Sequence, residues 1–296
     1  MAILENQLET WSHPGAQEQS KNTYAAIKAV LEDTSAPYSI RSFDTFLQGS
    51  YGNSTNIRTD SDVDIVMRLD SINYNDISKL DEDDAARFEQ NKGHTDYSHH
   101  LFKEEVLAWL KEKYGTGVKS GSKAIFIPGN NFRRDADVLV CTKHITYLSY
   151  PSSSGANFWE GVCFWNSDNN QIVNYPKQHL ANCKSKNQNT STRFKLNVRV
   201  FKNIRKAMVA SGYLDDGVAP SYFIEGMLWN IPNENFASTF QQTFINCINW
   251  LGSCDPAQLS CANDYHYLIR DGAKVCWNLA DYNKFRTAAV KYWNDS

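Results

Sequence analysis

Up to Tyr175 the apolar residues recur mostly in short runs of period two, and from Thr190 onward they recur at helical spacing. Alternation puts every second residue on one face of a strand, whereas spacings of three and four build one stripe of a helix. The stretch 16–31 carries Tyr24, Ile27, Val30 and Leu31 at helical spacing, which predicts a helix ending near Asp33 before a break at Pro37. Phe43–Gln48 alternates as a short strand that delivers the chain to Gly49-Ser50. Ser54–Asn56 predict a brief helix, and Thr59–Asp62 lead into a second strand whose apolar face is Val63, Ile65 and Met67. Ser71–Lys92, with Asp81, Glu82, Asp83 and Asp84, reads as a solvated surface connection with a helical portion. In His94–Lys113, Phe102, Val106, Trp109 and Leu110 form one helical stripe closed by Gly115.

Ala124–Ile127, a Pro128-Gly129-Asn130-Asn131 turn and Asp135–Cys141 read as a hairpin, with His144–Tyr150 as a further strand. Gly161–Trp165 and Gln171–Tyr175 form a second hairpin pattern ended by Pro176, and 177–190 reads as a polar linker. Beyond it, Phe194, Val198, Phe201, Ile204 (or Arg205) and Met208 make one stripe, with Thr190 or Thr192 as N-cap and Gly212 as C-cap. A helix with Pro220 in its first turn ends before Pro232; Phe236, Phe240, Phe244 and Ile248 repeat every fourth residue; Asp281–Trp293 is a last helix. Strands with some helices, then helices alone, predict an α+β chain of two lobes, 1–180 and 181–296.

Composition narrows the class. The 296 residues are 42% hydrophobic and 21% charged, with no apolar run of membrane-spanning length. Seven cysteines without a C-x-x-C pairing point to reduced thiols and a cytoplasmic protein, and no Cys/His cluster has zinc-ligand spacing. His99 and His100 point about 100° apart on a helix and cannot chelate one ion together. The net charge of −3, from 30 basic and 33 acidic residues, lacks the excess expected of a protein gripping long nucleic acid. It favours a small phosphorylated substrate, although the basic residues between Lys184 and Lys206 form one candidate patch.

The chemistry lies between Leu47 and Leu69. Asp62 and Asp64 share one strand face, and paired carboxylates repel unless a cation intervenes. Hard oxygen ligands at this spacing suit Mg²⁺ together with substrate phosphates. A D-x-D alone fits a solvated edge strand equally well; the upstream Gly49-Ser50 turn, with backbone N–H groups for phosphate, favours the functional reading. A third carboxylate arrives in Asp135-Ala136-Asp137, and Asp137, directly before Val138-Leu139-Val140, is favoured over Asp135.

The run G-S-Y-G-N-S-T-N-I-R followed by S-D-V-D-I-V resembles the polymerase-β nucleotidyltransferase superfamily. Ile172–His179, Lys186-Asn187, Phe194–Asn203 and Pro220–Glu225 are similar to its bacterial cGAS/DncV-like (CD-NTase) branch. The last of these also resembles a helix of the animal oligoadenylate synthetases and cyclic GMP-AMP synthase. The resemblance implies a two-lobed fold: a mixed sheet with helices, an N-terminal helix bridging to the second lobe, and a helical lobe. It implies that Asp62, Asp64 and Asp137 are the catalytic acids and hold two Mg²⁺ (or Mn²⁺) ions, with Asp137 also a general base. Nucleotide contacts would come from Gln48, Gly49, Ser50, Asn53, Lys186, Lys202, Ser221 and Tyr222. Lys202, one turn into its helix, would neutralise triphosphate charge, a reading favoured over a plain solvated lysine, and Tyr147 and Tyr282 compete with Tyr222 as base platforms. The implied activity is synthesis of cyclic di- or trinucleotides from ATP and other nucleoside triphosphates. Such products act in bacterial antiphage (CBASS) defence through a downstream effector, with no nucleic-acid activator and no membrane. A linear-oligonucleotide or RNA- or protein-modifying nucleotidyltransferase, or an inactive scaffold, are the alternatives.

Overall fold

The computed structural model describes residues 2–15, 17–58, 62–153, 155–273 and 275–296. Thr59–Ser61, the expected approach to the second strand, and Ala16, the expected helix start, lie outside the described residues. The chain divides into two compact units: a sheet unit of 18–48 and 61–176, and a helical unit of 1–17, 49–60 and 177–296.

The sheet unit is built on two long parallel strands, β2 (Val63–Asp76) and β5 (Ala136–Ser149). The short strand β1 (Phe43–Leu47) pairs antiparallel with β2. On the other side of β5 lie β4 (Ile125–Ile127) and β3 (Lys119–Ser120), and β6 (Asn157–Trp165) carries β7 (Gln171–Asn174). The His144–Tyr150 run is thus the continuation of β5 and not a separate strand. On one face Val63, Ile65, Met67 and Leu69 are fully buried, beside Ala136, Val138 and Val140. Two helices supply buried apolar residues here: α2 (Glu18–Leu31) gives Ile27 and Leu31, and α5 (His99–Tyr114) gives Phe102, Val106 and Leu110. The Trp109 indole N–H donates to the Val30 carbonyl at 2.8 Å, joining the two helices. His99 is buried and its Nε2 meets the Val140 carbonyl, while exposed His100 pairs with Glu104, so the two imidazoles diverge as expected.

Three expectations need correction in this unit and the helix after it. Ser71–Asp76 extends β2, and only Glu82–Asn91 is helical (α4). Its acidic start is not solvated throughout: Asp81, Glu82 and Asp83 are exposed, but Asp84 is buried. Asp81 caps the helix through the Asp84 N–H, and buried Asp84 pairs with Arg87 and accepts from the Tyr150 N–H at 2.6 Å. Carboxylates are favourable there because a helix N-terminus carries positive partial charge. Residues 177–190 are not a linker either: Pro176–Asn189 form α6, with Pro176 at its first position and His179 and Cys183 buried.

The helical unit gathers α1 (Glu5–Ser12), the short α3 (Gly49–Gly52), α7 (Arg193–Ala210), α8 (Ser221–Asn230), α9 (Phe240–Ser253) and α10 (Leu279–Asp295). The expected helix at Ser54–Asn56 lies one turn earlier, at α3. Thr192 precedes α7 in a left-handed conformation, and it is the Thr190 hydroxyl that accepts from the Phe194 N–H. Pro220 is the residue before α8 and not its first turn. One core joins these helices through Phe194, Phe201, Phe244, Phe285 and Trp293. The Phe201 ring is fully buried 5.2 Å from Phe244. Phe201→Ala is expected to lower the unfolding free energy by about 3–5 kcal/mol through lost burial and a residual cavity. A loss under about 1 kcal/mol in chemical denaturation would contradict this packing.

Candidate active site

Each unit holds one group of candidate residues. In the sheet unit the strand pairing brings acids together. The register of β2 and β5 sets Asp64 opposite Asp137, Val66 opposite Leu139 and Arg68 opposite Cys141. Paired residues on parallel strands share a face, so Asp64 and Asp137 point the same way. Asp62, exposed and two residues earlier, belongs to that face. Beyond the acids the same face becomes apolar, with Val66, Cys141, Val162 and Phe164 buried together. It then closes with an ion network in which Arg68 bonds Asp70 and Glu160.

Burial pushes the Asp137 carboxyl above the usual carboxylate range, with Asp62 and Asp135 adding like-charge repulsion. Asp135 is committed elsewhere, since its Oδ1 accepts from the Gly129 N–H at 2.6 Å and shapes the β4–β5 turn. A Cβ on Gly129 would lie 2.6 Å from the Arg133 carbonyl oxygen, so this turn needs glycine. The donor set of Asp62, Asp64 and Asp137 is all carboxylate oxygen and mutually repelling. That chemistry fits a hard divalent cation and gives nothing to a thiophilic one.

The strand before the acids ends beside them. The Gln48 N–H donates to the Asp64 carbonyl at 2.9 Å, and Gly49 is the next residue. Gly49 has φ +68°, a left-handed conformation that favours glycine, and α3 begins there. The Asn53 N–H donates to the Gly49 carbonyl and the Thr55 N–H to the Ser50 carbonyl, which closes the turn within the helical unit.

The helical unit holds that turn from behind. Asn53 is 5% exposed, and its amide donates to Glu225 Oε2 at 2.8 Å. The Thr55 hydroxyl donates to Glu225 Oε1 at 2.5 Å, and His179 Nε2 meets Oε2 at 2.8 Å. Lys202 is 3% exposed and donates to the Thr55 carbonyl. Arg199 donates to the carbonyls of Ser12 and Ser54.

These contacts show where the structure places the residues expected at the nucleotide. Lys202 is neither a solvated lysine nor a residue one turn into its helix: it sits midway along α7 and fastens the Thr55 backbone. Lys186 donates to the Ile231 carbonyl just past α8 and lies over the Phe236 ring, so it caps a helix. Asn53 is a tether of the turn. Ser221 is the half-buried first residue of α8. Tyr282 is fully buried with its hydroxyl on the Leu251 carbonyl, and Tyr147 packs with Phe88, Tyr150 and Phe158. Tyr222 remains as a half-buried ring stacked on His179 at 5.1 Å, its hydroxyl accepting from the Asn263 amide.

Glu225 is the residue that sequence reasoning passed over. Among the described residues, His179, Cys183 and Glu225 bring three ligand-type atoms within 4.8 Å of one another. The arrangement suits hydrogen bonding better than a metal, because both carboxylate oxygens already accept from protein donors and the Lys202 charge acts on Glu225. Despite complete burial, those partners hold its carboxyl below the usual range, His179 contributing most, so it is an anion.

Comparison with known proteins agrees with the fold. A model of the cGAS/DncV-like nucleotidyltransferase C-terminal helical domain matches residues 181–294. The chain is 39% identical to the cyclic UMP-AMP synthase of Rhodothermus marinus over 267 residues, 89% of this chain and 88% of that protein. It is 32% identical to the cyclic nucleotide synthase CdnE01 of Staphylococcus haemolyticus over 302 residues, with 100% of each covered. The solved structure of Rhodothermus marinus CdnE c-UMP-AMP synthase with Apcpp and Upnpp aligns with TM-score 0.88 at 35% identity, covering 99% of this chain and 97% of that one. The CdnE cyclic dinucleotide synthase of Elizabethkingia meningoseptica, solved with GTP and Apcpp, aligns with TM-score 0.77 at 28% identity, covering 99% and 98%. With such identity sustained over the whole length, this chain belongs to the cGAS/DncV-like nucleotidyltransferases.

Proposed function

We propose that this chain is a cyclic dinucleotide synthase that joins ATP to a second nucleotide and releases pyrophosphate, in bacterial antiphage signalling. The observation that supports it most is the pairing of Asp64 with Asp137, with Asp62 on the same face and the strand before them running directly into Gly49-Ser50. The synthases named above support the choice of a cyclic dinucleotide. Within the catalytic portion expected at 1–180, the three acids lie in the sheet unit and the Gly49-Ser50 turn in the helical unit, most of which falls in 181–296.

In this reading Asp62, Asp64 and Asp137 hold two divalent cations, Mg²⁺ or Mn²⁺. Bound there, such ions supply charge neutralisation for the entering and leaving oxygens of an in-line displacement at the α-phosphate. Asp137 accepts the proton of the attacking ribose hydroxyl. Gly49 and Ser50, through backbone N–H groups and the Ser50 hydroxyl, orient the β- and γ-phosphates, with Gln48 and Ser221 beside the nucleotide and Tyr222 offering a ring face to the base. Stacking on such a ring contributes about 1–3 kcal/mol per base. Purified protein with ATP, a second nucleoside triphosphate and Mg²⁺ is expected to release pyrophosphate, and chelation of the metal to stop it. Undiminished release in excess chelator would contradict the metal assignment.

The enzyme is further expected to need no DNA or RNA. A nucleic-acid sensor must neutralise several phosphates at once, and binding then weakens steeply with salt. Here the net charge is −3, and Lys186, Arg193, Arg199, Lys202 and Arg205, in the one basic stretch, donate to backbone carbonyls of the helical unit. A basal rate should appear with nucleotides and Mg²⁺ alone. Stimulation by added DNA or RNA of more than about tenfold, reversed by salt, would overturn this expectation.

A further inference from the structure

We propose that Glu225 is a positioning residue for the reaction, acting on the Gly49–Ser50 turn through Thr55. The relay is short and continuous. Glu225 Oε1 accepts from the Thr55 hydroxyl, and the Thr55 N–H donates to the Ser50 carbonyl at 2.8 Å. A shift of the Glu225 carboxylate therefore moves Thr55 and, with it, the peptide whose carbonyl belongs to Ser50. The inference rests on the reading that this turn orients donor phosphates.

The surroundings show a carboxylate committed to this task. Glu225 is 4% exposed, in a helix whose other buried residues are Ile224, Gly226, Met227 and Leu228. A lone anion in so apolar a helix is costly unless its lone pairs are filled. Asn53, Thr55 and His179 fill them, and two of these three follow the turn in the chain. From the opposite sense of charge, Arg199 and Lys202 donate to the carbonyls of Ser54 and Thr55. Ser54 has φ +54°, which an L-residue adopts at some cost and keeps only where its neighbours over-determine it. The anion thus grips the side chains of Asn53 and Thr55, and the cations grip the carbonyls of Ser54 and Thr55. Such a grip fixes the spacing of the turn's N–H groups before any nucleotide arrives, which lowers the ordering cost of binding.

Thr55→Val keeps the shape of a fully buried side chain and removes only the hydroxyl. In the full chain with Mg²⁺, it is expected to raise the apparent KM for ATP about tenfold, and to lower the thermal midpoint as well, because one Glu225 oxygen loses its donor. Glu225→Gln should do the same or more, because its amide turns a donor toward the Asn53 and His179 donors. Thr55→Ser, which retains the hydroxyl, should restore most of the affinity. The deciding comparison is with Ser50→Ala. If the relay acts through the turn, Thr55→Val combined with Ser50→Ala loses clearly less than the product of the two single effects. Multiplicative losses, or a fall in thermal midpoint with an unchanged KM, would overturn the proposal and leave Glu225 as a fold residue. A Ser50→Ala variant with unaltered KM would instead remove the premise that the turn orients phosphate, and the relay would fall with it.

Discussion

Replacing Asp62 and Asp64 together by asparagine is expected to abolish product formation while leaving the protein folded. The two carboxylates share a strand face with Asp137, whose carboxyl is raised chiefly by burial, with like-charge repulsion from Asp62 and Asp135 adding to it. Neutralising two of the acids removes repulsion, so the thermal midpoint should stay the same or rise slightly. On the proposed reading the cations would lose two of three anionic ligands, so catalysis should suffer greatly. A loss of about 4 kcal/mol in transition-state stabilisation corresponds to about a thousandfold in rate. The two measurements separate the roles cleanly. Lost activity together with a large drop in thermal midpoint would make these residues structural.

Asp137→Ala should eliminate product, whereas Asp135→Ala should retain a measurable rate. Asp137 lies in register with Asp64, half-buried on the shared face. Asp135 lies before β5 begins and accepts from the Gly129 N–H in the preceding turn. Removing it sacrifices one hydrogen bond, worth about 1 kcal/mol, and loosens the hairpin without deleting a ligand. The opposite ranking, with Asp135 indispensable and Asp137 dispensable, would mean that β5 bends at its start so that the earlier acid faces Asp64.

Much of this was legible in the sequence because period-two alternation is a local property. Val63, Ile65 and Met67 against Asp62 and Asp64 fix which face is core without knowledge of the partner strand. The preference for Asp137 came from the apolar run behind it, and that run is what pairs with β2. Long-range partners were not legible. Lys186 and Lys202 carry the residue type of phosphate ligands, yet their acceptors are the carbonyls of Ile231 and Thr55, the latter distant in the chain. Residues 177–190 looked like a linker because α6 buries His179 and Cys183, two residues that no apolar periodicity counts. Helix α1 was too short to show a period, yet its Glu5 accepts from the backbone N–H groups of Phe240 and Gln241 at the start of α9. Glu225 did leave a signal: one charge in the otherwise apolar run from Tyr222 to Trp229. A buried ion asks for partners, and the sequence cannot say that they are Asn53, Thr55 and His179.

The mass of the product tests the central claim most directly. Purified protein is incubated with the four nucleoside triphosphates and Mg²⁺, the mixture is treated with phosphatase, and the remaining nucleotides are resolved by mass spectrometry. A ring has no terminal phosphate, so a phosphatase-resistant species with the mass of two nucleoside monophosphates less two waters is the predicted result, absent from the Asp62→Asn/Asp64→Asn variant. Product that phosphatase trims to linear oligonucleotides, or label transferred to RNA or protein, would contradict the account.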